Sequence, residues 1–374
     1  MFRKQKQILL LAVMFLLGTF AVEAQEPVKL SLQDALKMAL QYNTDILNSD
    51  LDLKMAQKKV WETTASGLPH IDANSAYVFI PKVPTLPASF MGGGDSGADP
   101  NADPNAVIEL GVKNNITTDI TVSQLIFSGA YFVGLQATKV FYGLTKQTAE
   151  KTRLDVIETV INTYNMIQLA EESRKILEQN LENINKTLYE ITEMNKQGFL
   201  EKTDVDQLEL TGNTVRNAMN QIDGNLDMAY RLLKIQLGME DTAKVELTDQ
   251  LESGESLTKS SLQLIVEPFN IDQNVDFQLV QTSEKAAKLE LKLAKTGYLP
   301  TISGYFSHTE KLKSPAFDFA PKDVMGMNLS LPIFSSGERM AKVSQKRMAL
   351  EKTQNTRKFV SSSLMMQASQ YQND

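Results

Sequence analysis

The residues best able to do chemistry are few and poorly placed for it. His70 and His308 are the only imidazoles in 374 residues, and there is no cysteine at all. Disulfides, thiolate metal sites and a lipidated N-terminal cysteine are therefore excluded, and two histidines at unrelated places do not make a zinc site. Asp95, Asp99 and Asp103 recur among Gly, Pro and Asn, as in a calcium loop. EF-hand ligands fall instead on alternate positions and end on a Glu, so a solvated acidic loop is the better reading. Adjacent acids such as Glu171 and Glu172 could act as general acid and base, but they lie in a long helical pattern and read as a solvated face. No Ser-His-Asp order, Gly-rich phosphate loop or HExxH motif is present. The expectation is a protein with no catalytic residues, no cofactor and no metal, and so not an enzyme.

The formal net charge is -7 with a pI near 5.2. Neutralising phosphates requires an excess of Lys and Arg, so a nucleic-acid partner is not expected. Residues 1–24 read as a signal peptide: Arg3, Lys4 and Lys6 precede an apolar run from Ile8 to Phe20, and Val22-Glu23-Ala24 resembles a cleavage site. No later segment is apolar enough to span a membrane as a helix, which leaves a soluble exported protein or one inserted as β-structure.

The elements that must position any site come from an internal repeat. Asn43-Thr44-Asp45 opens a helical run that ends at Gly67-Leu68-Pro69, and Asn274-Val275-Asp276 opens one that ends at Gly297-Tyr298-Leu299-Pro300; the Asn-to-Pro step is 26 in both. Further on, Val122 to Gly129, with Ile126-Phe127-Ser128-Gly129, answers Leu329 to Gly337, with Ile333-Phe334-Ser335-Ser336-Gly337. The first copy carries a 24-residue insertion within 81–106, dense in Pro, Gly, Asp and Asn.

Ser31 with Asp34 three positions on predicts a helix start, and Gly67-Leu68-Pro69 a stop, giving one helix to about Ser66. After each Pro the period falls to two. Ile71 to Ile80, residues 116–123, Thr301 to His308 and Val324 to Leu331 read as strands of roughly the 9–11 residues needed for a tilted transmembrane span. A helix of about 67 residues follows, from Tyr131 to Gln197, with Leu177, Leu181, Ile184, Leu188 and Ile191 at coiled-coil spacing. Gly198 turns it into a return helix, 203–237, that closes at Gly238. At 1.5 Å per residue the long helix is roughly 100 Å, matched by two shorter ones of roughly 50 Å laid end to end.

Four strands cannot close a barrel, and open edges in lipid leave costly unsatisfied amides. Copies of the chain must therefore pool their hairpins, and the coiled-coil stripes likewise need neighbouring helices.

Leu30-Ser31-Leu32-Gln33-Asp34-Ala35-Leu36, with Ala39-Leu40 and Asn43, resembles the N-terminal signature of the TolC-type outer-membrane factors. The Leu-Pro steps into strand, the Ile-Phe-Ser-(Ser)-Gly returns into helix, the Gly198 to Val205 turn and Leu232 to Gly238 follow in that family's order. The resemblance covers about 28–374. It implies an α+β membrane protein in which long antiparallel coiled-coil helices form a periplasmic α-barrel and transmembrane β-hairpins form a shared outer-membrane β-barrel. It further implies a homotrimer in the outer membrane of a Gram-negative bacterium, extending into the periplasm. There it would contact outer-membrane lipid, a periplasmic adaptor and an inner-membrane pump of RND or ABC type. The function implied is a passive exit duct for tripartite efflux or type I secretion.

The domain map expected is a first repeat over 25–238 (hairpin 70–126, extracellular loop 81–106), an equatorial linker over 239–271, and a second repeat over 272–374 (hairpin 301–333). The second copy runs only 37 residues beyond Gly337, against 69 from Gly129 to Gly198, so its returning helix is expected to be truncated. By resemblance Gly198, Phe199, Leu200, Thr203, Asp204 and Val205 form the periplasmic tip that docks the adaptor. Asp204 resembles a carboxylate of the pore constriction, while Thr203 or Asp204 could equally cap a helix. Pro69, Phe127, Gly129, Pro300, Phe334 and Gly337 mark the helix–strand junctions. Tyr77, Phe79, Phe127, Tyr305, Phe306 and Phe334 could form interfacial girdles or pack in a core, and Trp61 is expected between helices. The competing reading, a periplasmic adaptor (membrane fusion) protein, would show one coiled-coil excursion inside compact β-domains, not two excursions each followed by membrane-length strands.

Overall fold

The computed structural model describes residues 28–87, 107–249, 269–314 and 318–373. The signal-peptide reading, Asp95, Asp99 and Asp103, and most of the loop 81–106 and the linker 239–271 lie outside the described residues. In chain order the elements are β1 (Val28–Leu30), α1 (Leu32–Tyr42), α2 (Thr44–Ala65), β2 (His70–Phe79), β3 (Thr85–Pro87), β4 (Val107–Glu109) and β5 (Asn114–Ser128). There follow α3 (Gly129–Lys196), α4 (Lys202–Gln236), β6 (Val245–Leu247), a short 3-10 turn (Ile271–Gln273), α5 (Val275–Thr296), β7 (Thr301–Lys311), β8 (Asp323–Ser330) and α6 (Glu338–Asn373). The chain divides into two compact units, the first of 1–51 with 149–268 and the second of 52–148 with 269–374. Among the described residues no helix is long and apolar enough to cross a membrane.

In the first unit the α3–α4 pair is zipped by the stripe its spacing predicts. Leu177, Leu181, Ile184 and Leu188 are half-buried, as are Leu208, Val215 and Met219 opposite. Gly212 is buried because the helices approach closely there; a Cβ would lie 3.3 Å from Ile184 Cγ2. Arg174 Nε donates to Asp223 at 2.5 Å, and the Tyr230 hydroxyl donates to Glu171. Nearer the chain start, Leu30, Ala39, Val160, Tyr164, Ile167 and Leu233 form a closed core. Tyr164 is 1% exposed, and its hydroxyl donates to Leu30 O at 3.0 Å, beside the parallel β1–β6 pair. Burial raises the Tyr164 phenol above its ordinary range, so it stays a neutral donor.

The expected single helix from Ser31 to Ser66 is two helices. Ser31 does cap, accepting from Asp34 N at 3.1 Å. Asn43 then takes an extended conformation (φ -61, ψ 133) and ends α1. Its Oδ1 accepts from Asp45 N at 2.8 Å, starting α2, while its Nδ2 donates to Gln236 O at 2.8 Å, a carbonyl at the end of α4. The Asn43 side chain thus satisfies orphan backbone groups on two helices, α2 and α4.

In the second unit α5 starts on Asn274, whose Oδ1 accepts from Phe277 N at 3.1 Å. α2 and α5 both have 22 residues, both follow an extended Asn, and both lead into a strand. α6 is tied to α5 by ion pairs, Lys346 Nζ to Glu290 at 2.7 Å and Arg357 Nη1 to Glu284 at 3.0 Å, and also carries the half-buried Val343, Leu350 and Val360 and the buried Leu364. Glu284 is 4% exposed and also meets Lys288 at 2.7 Å. The Lys288 hydrogen bond, helped by Gln354 and Arg357, holds its carboxyl below the usual range against the pull of burial. β2, β5, β7 and β8 form one antiparallel sheet in that order, and β3 pairs with β4 within the β2–β5 connection.

Asn43→Ala is expected to lower stability by about 2 kcal/mol, a lost cap plus an orphaned Gln236 carbonyl, read as a lower melting midpoint by circular dichroism. Because the Glu284 carboxyl is depressed in the folded state, its contribution is complete above its unfolded value and is lost as pH falls through its lowered one. Amides of α6 should therefore exchange hydrogen faster in that acidic window, and Glu284→Gln should remove that pH dependence.

Candidate functional site

All ten residues of β2 are exposed, as are all but Gly326 of the eight in β8. Register decides what each face carries, because directly opposed residues on neighbouring strands share a face. Ile71, Val122, Phe306 and Met325 form one row across all four strands. On the same face lie Phe127 opposite Ile302 and, beside it, Leu329. The next row belongs to the other face and reads Asp72, Thr121, Ser307 and Val324; beyond it comes Asn74, Asp119 and Thr309. One face is thus dominated by large apolar side chains, with Ile71 72% and Met325 82% exposed, and the other by hydroxyls, amides and carboxylates. Such a sheet can separate hydrocarbon from water.

The junctions are built differently in the two halves. Pro69 directly precedes β2 and Pro300 directly precedes β7, each denying the helix before it a further turn. At the first return, β5 runs through Phe127 to Ser128 and α3 starts at once on Gly129, with a bulge at Ile126 between the pairings of Leu125 and Phe127. Gly129 is required by close packing, since a Cβ there would meet Leu299 Cδ1 at 2.5 Å. A Cβ on Gly67 would collide with the Tyr131 ring, whose hydroxyl donates to Thr64 O at 3.1 Å, and Gln124 Nε2 donates to Gly67 O at 2.7 Å.

The matching segment of the second half does not copy this geometry. β8 stops at Ser330, because Pro332 has no N–H to continue the ladder, and 331–337 is a loop through Ser336 (φ 48) and Gly337 (φ 85). Phe334 is 85% exposed there. Arg339 ties this loop down, donating to Pro332 O and Ser335 Oγ and lying 5.2 Å over the Tyr298 ring. Sequence reasoning missed Gln124, Tyr131 and Arg339. Only Arg339 carried a signal, a cation in the first turn of a helix where the dipole disfavours it. Trp61 is 63% exposed and not packed between helices.

At the α3–α4 turn Gly198 adopts φ 81. Its N–H donates to Asn195 O at 2.9 Å and that of Phe199 to Met194 O at 3.0 Å, a Schellman closure. Leu200 O accepts from Asn195 Nδ2 at 2.7 Å. Asp204 accepts from Glu201 N at 3.3 Å and so caps α4, while Thr203 donates to Glu201 Oε2 at 3.1 Å. Val205 and Leu200 are half-buried, but Phe199 is 73% exposed and forgoes the apolar contact that usually accompanies such a closure. Glu171 is tied to Tyr230 and Glu172 to Lys175, both on exposed helix surface. Among the described residues no three His, Asp or Glu side chains gather as a metal site would require.

No protein-family model matches the chain, and no curated protein sequence matches it. Solved structures do. CusC, described in terms of transmembrane channel formation, is 17% identical, with a TM-score of 0.66 over 94% of this chain and 80% of that one. The CmeC outer membrane channel of Campylobacter jejuni is 16% identical, with a TM-score of 0.65 over 89% of this chain and 68% of that one. The outer membrane protein VceC of Vibrio cholerae is 13% identical, with a TM-score of 0.66 over 90% and 76%. The chain has the fold of the TolC-type outer-membrane channels.

Gly67→Ala is expected to cost about 1–3 kcal/mol through its collision with Tyr131, and Tyr131→Ala in the same chain should recover part of that loss. Melting of the two single variants and the double variant would measure the coupling.

Proposed function

We propose that this chain is one protomer of a homotrimeric exit duct in the outer membrane of a Gram-negative bacterium, reaching into the periplasm. The observation that carries the proposal is the four-stranded sheet with one apolar face, one polar face and two open edges. Barrels begin at about eight strands, and an open edge in hydrocarbon strands several amides. Three copies would pool twelve strands, the apolar face toward lipid and the polar face toward a water-filled lumen. The fold shared with outer membrane channels supports the same reading.

The helices point the same way. An open apolar groove of about 600 Å³ runs between α3 and α4, lined by Met166, Leu169, Ile222, Met228 and Leu232. Neighbouring helices of an α-barrel would fill it. The matched lengths and Asn caps of α2 and α5 support an internal duplication, with repeats over 25–238 and 272–374 joined by an equatorial linker over 239–271.

Transport through such a duct is passive. Energy would come from an inner-membrane pump of RND or ABC type, in efflux or type I secretion, reached through a periplasmic adaptor. The turn Gly198 to Val205 is the proposed docking tip, favoured by the exposed ring of Phe199 on a backbone held rigid by its own hydrogen bonds.

Purified protein in a planar bilayer should give conductance steps and cross-link as a trimer; a monomer that conducts nothing would reject the duct. Gly198→Pro, which cannot adopt φ 81, and Leu200→Asp should abolish export while trimers and conductance persist. Unchanged export in the double variant would remove the docking role.

A further inference from the structure

Within the second unit the sheet runs in the order β2, β5, β7, β8, so α3, which follows β5, and α5, which precedes β7, adjoin its two middle strands. They touch there: Lys292 Nζ donates to Gln136 Oε1 at 3.2 Å, and Leu299 crowds Gly129. α2 and α6 adjoin the edge strands β2 and β8 instead, and each keeps a bare face. On α6, Lys346 and Arg357 reach α5, while Ser344, Met348 and Glu351 lie on the opposite side of the helix and are exposed. On α2, Ala56 turns toward Phe141 and Leu144 of α3, while Lys54 and Trp61 are exposed, Trp61 by 63%.

The repeat relates these bare faces to the contact already made. Trp61 stands eight residues before Pro69, as Lys292 stands eight before Pro300. Ser344 stands seven after Gly337, as Gln136 stands seven after Gly129, and both are about two turns into their helices. Seven residues further from the sheet come Lys54 on α2 and Glu351 on α6, opposite charges that make no ion pair among the described residues.

We infer that α6 of one copy and α2 of the next form the helical seam of the assembly, with Trp61 seated on Ser344 and Met348 and with Lys54 paired to Glu351. The inference rests on the pooled sheet proposed above and adds which side chains close the boundary. When the β8 edge of one copy joins the β2 edge of the next, α6 and α2 become neighbours as α3 and α5 are within the chain. α2 runs toward the sheet and α6 away from it, so equal steps back along one and forward along the other stay level. The Trp61–Ser344 match therefore brings Lys54 opposite Glu351. An indole against a small hydroxyl side chain and a thioether is the kind of buried aromatic anchor that dominates an interface.

The chain has no cysteine, so introduced thiols are its only ones. Full-chain protein carrying Trp61→Cys with Ser344→Cys, purified in detergent micelles, should be joined by a short bismaleimide into covalent dimers and trimers on a denaturing gel. Lys54→Glu and Glu351→Lys should each speed trimer dissociation about threefold, and together should restore the parent rate. Conducting trimers in which the two thiols join only within a chain or not at all, or in which the charge swap restores nothing, would overturn the seam and leave the duct intact. Protein that forms neither trimers nor channels would overturn both.

Discussion

A sheet that is apolar on one face, polar on the other and unpaired along β2 and β8 cannot exist alone in either water or lipid. In water its Ile71, Phe306 and Met325 row is exposed, and in lipid its edge amides have no partner. In the proposed assembly the β8 edge of one copy would join the β2 edge of the next, which would relieve both defects at once. Helices deliver the chain to that sheet and take it up again: each helix before it ends on a Leu-Pro step, while the helix after it starts directly on the strand at Gly129 but only after a seven-residue loop in the second half.

The two halves solve this delivery by different local physics. At the first junction strand passes into helix without a loop, and the passage is locked by small-residue packing, Gly129 under Leu299 and Gly67 under Tyr131. At the second, Pro332 ends the ladder early and Arg339 holds a loop that would otherwise be free. Both helix pairs that follow combine half-buried apolar residues with cross-helix ion pairs: Leu177, Leu181 and Leu188 with Arg174–Asp223 between α3 and α4, and Val343, Leu350 and Leu364 of α6 with Lys346–Glu290 and Arg357–Glu284 to α5.

Much of the architecture was legible residue by residue. The 4-3 spacing of Leu177 to Ile191 and the Gly198 turn predicted the α3–α4 hairpin to within two residues at its ends. The equal Asn-to-Pro steps marked two runs of equal length, and α2 and α5 have 22 residues each, although the first was expected to continue from a helix begun at Ser31. The tip was legible as a turn, because Gly at a left-handed closing position is a local requirement. Its capping was only half legible: Asp204 acts from the third position of α4, with Glu201 before the helix start. The continuous helix through Asn43 failed because its break is set by a carbonyl 193 positions away.

What the sequence determined by itself is period: where the chain coils at 3.5, where it alternates at two, and which Gly and Pro separate these runs. Those are properties of neighbours within one turn or one pleat, and local sterics settle them. Alternation says only that odd and even residues part company. Only the tertiary structure decided which set on β2 stands beside which set on β5, β7 and β8, because register is a choice among equally regular ladders and is made by long-range pairing and by the bulge at Ile126. That choice gathered the large apolar side chains of four separated segments onto one face, and the two-sided sheet exists only because of it.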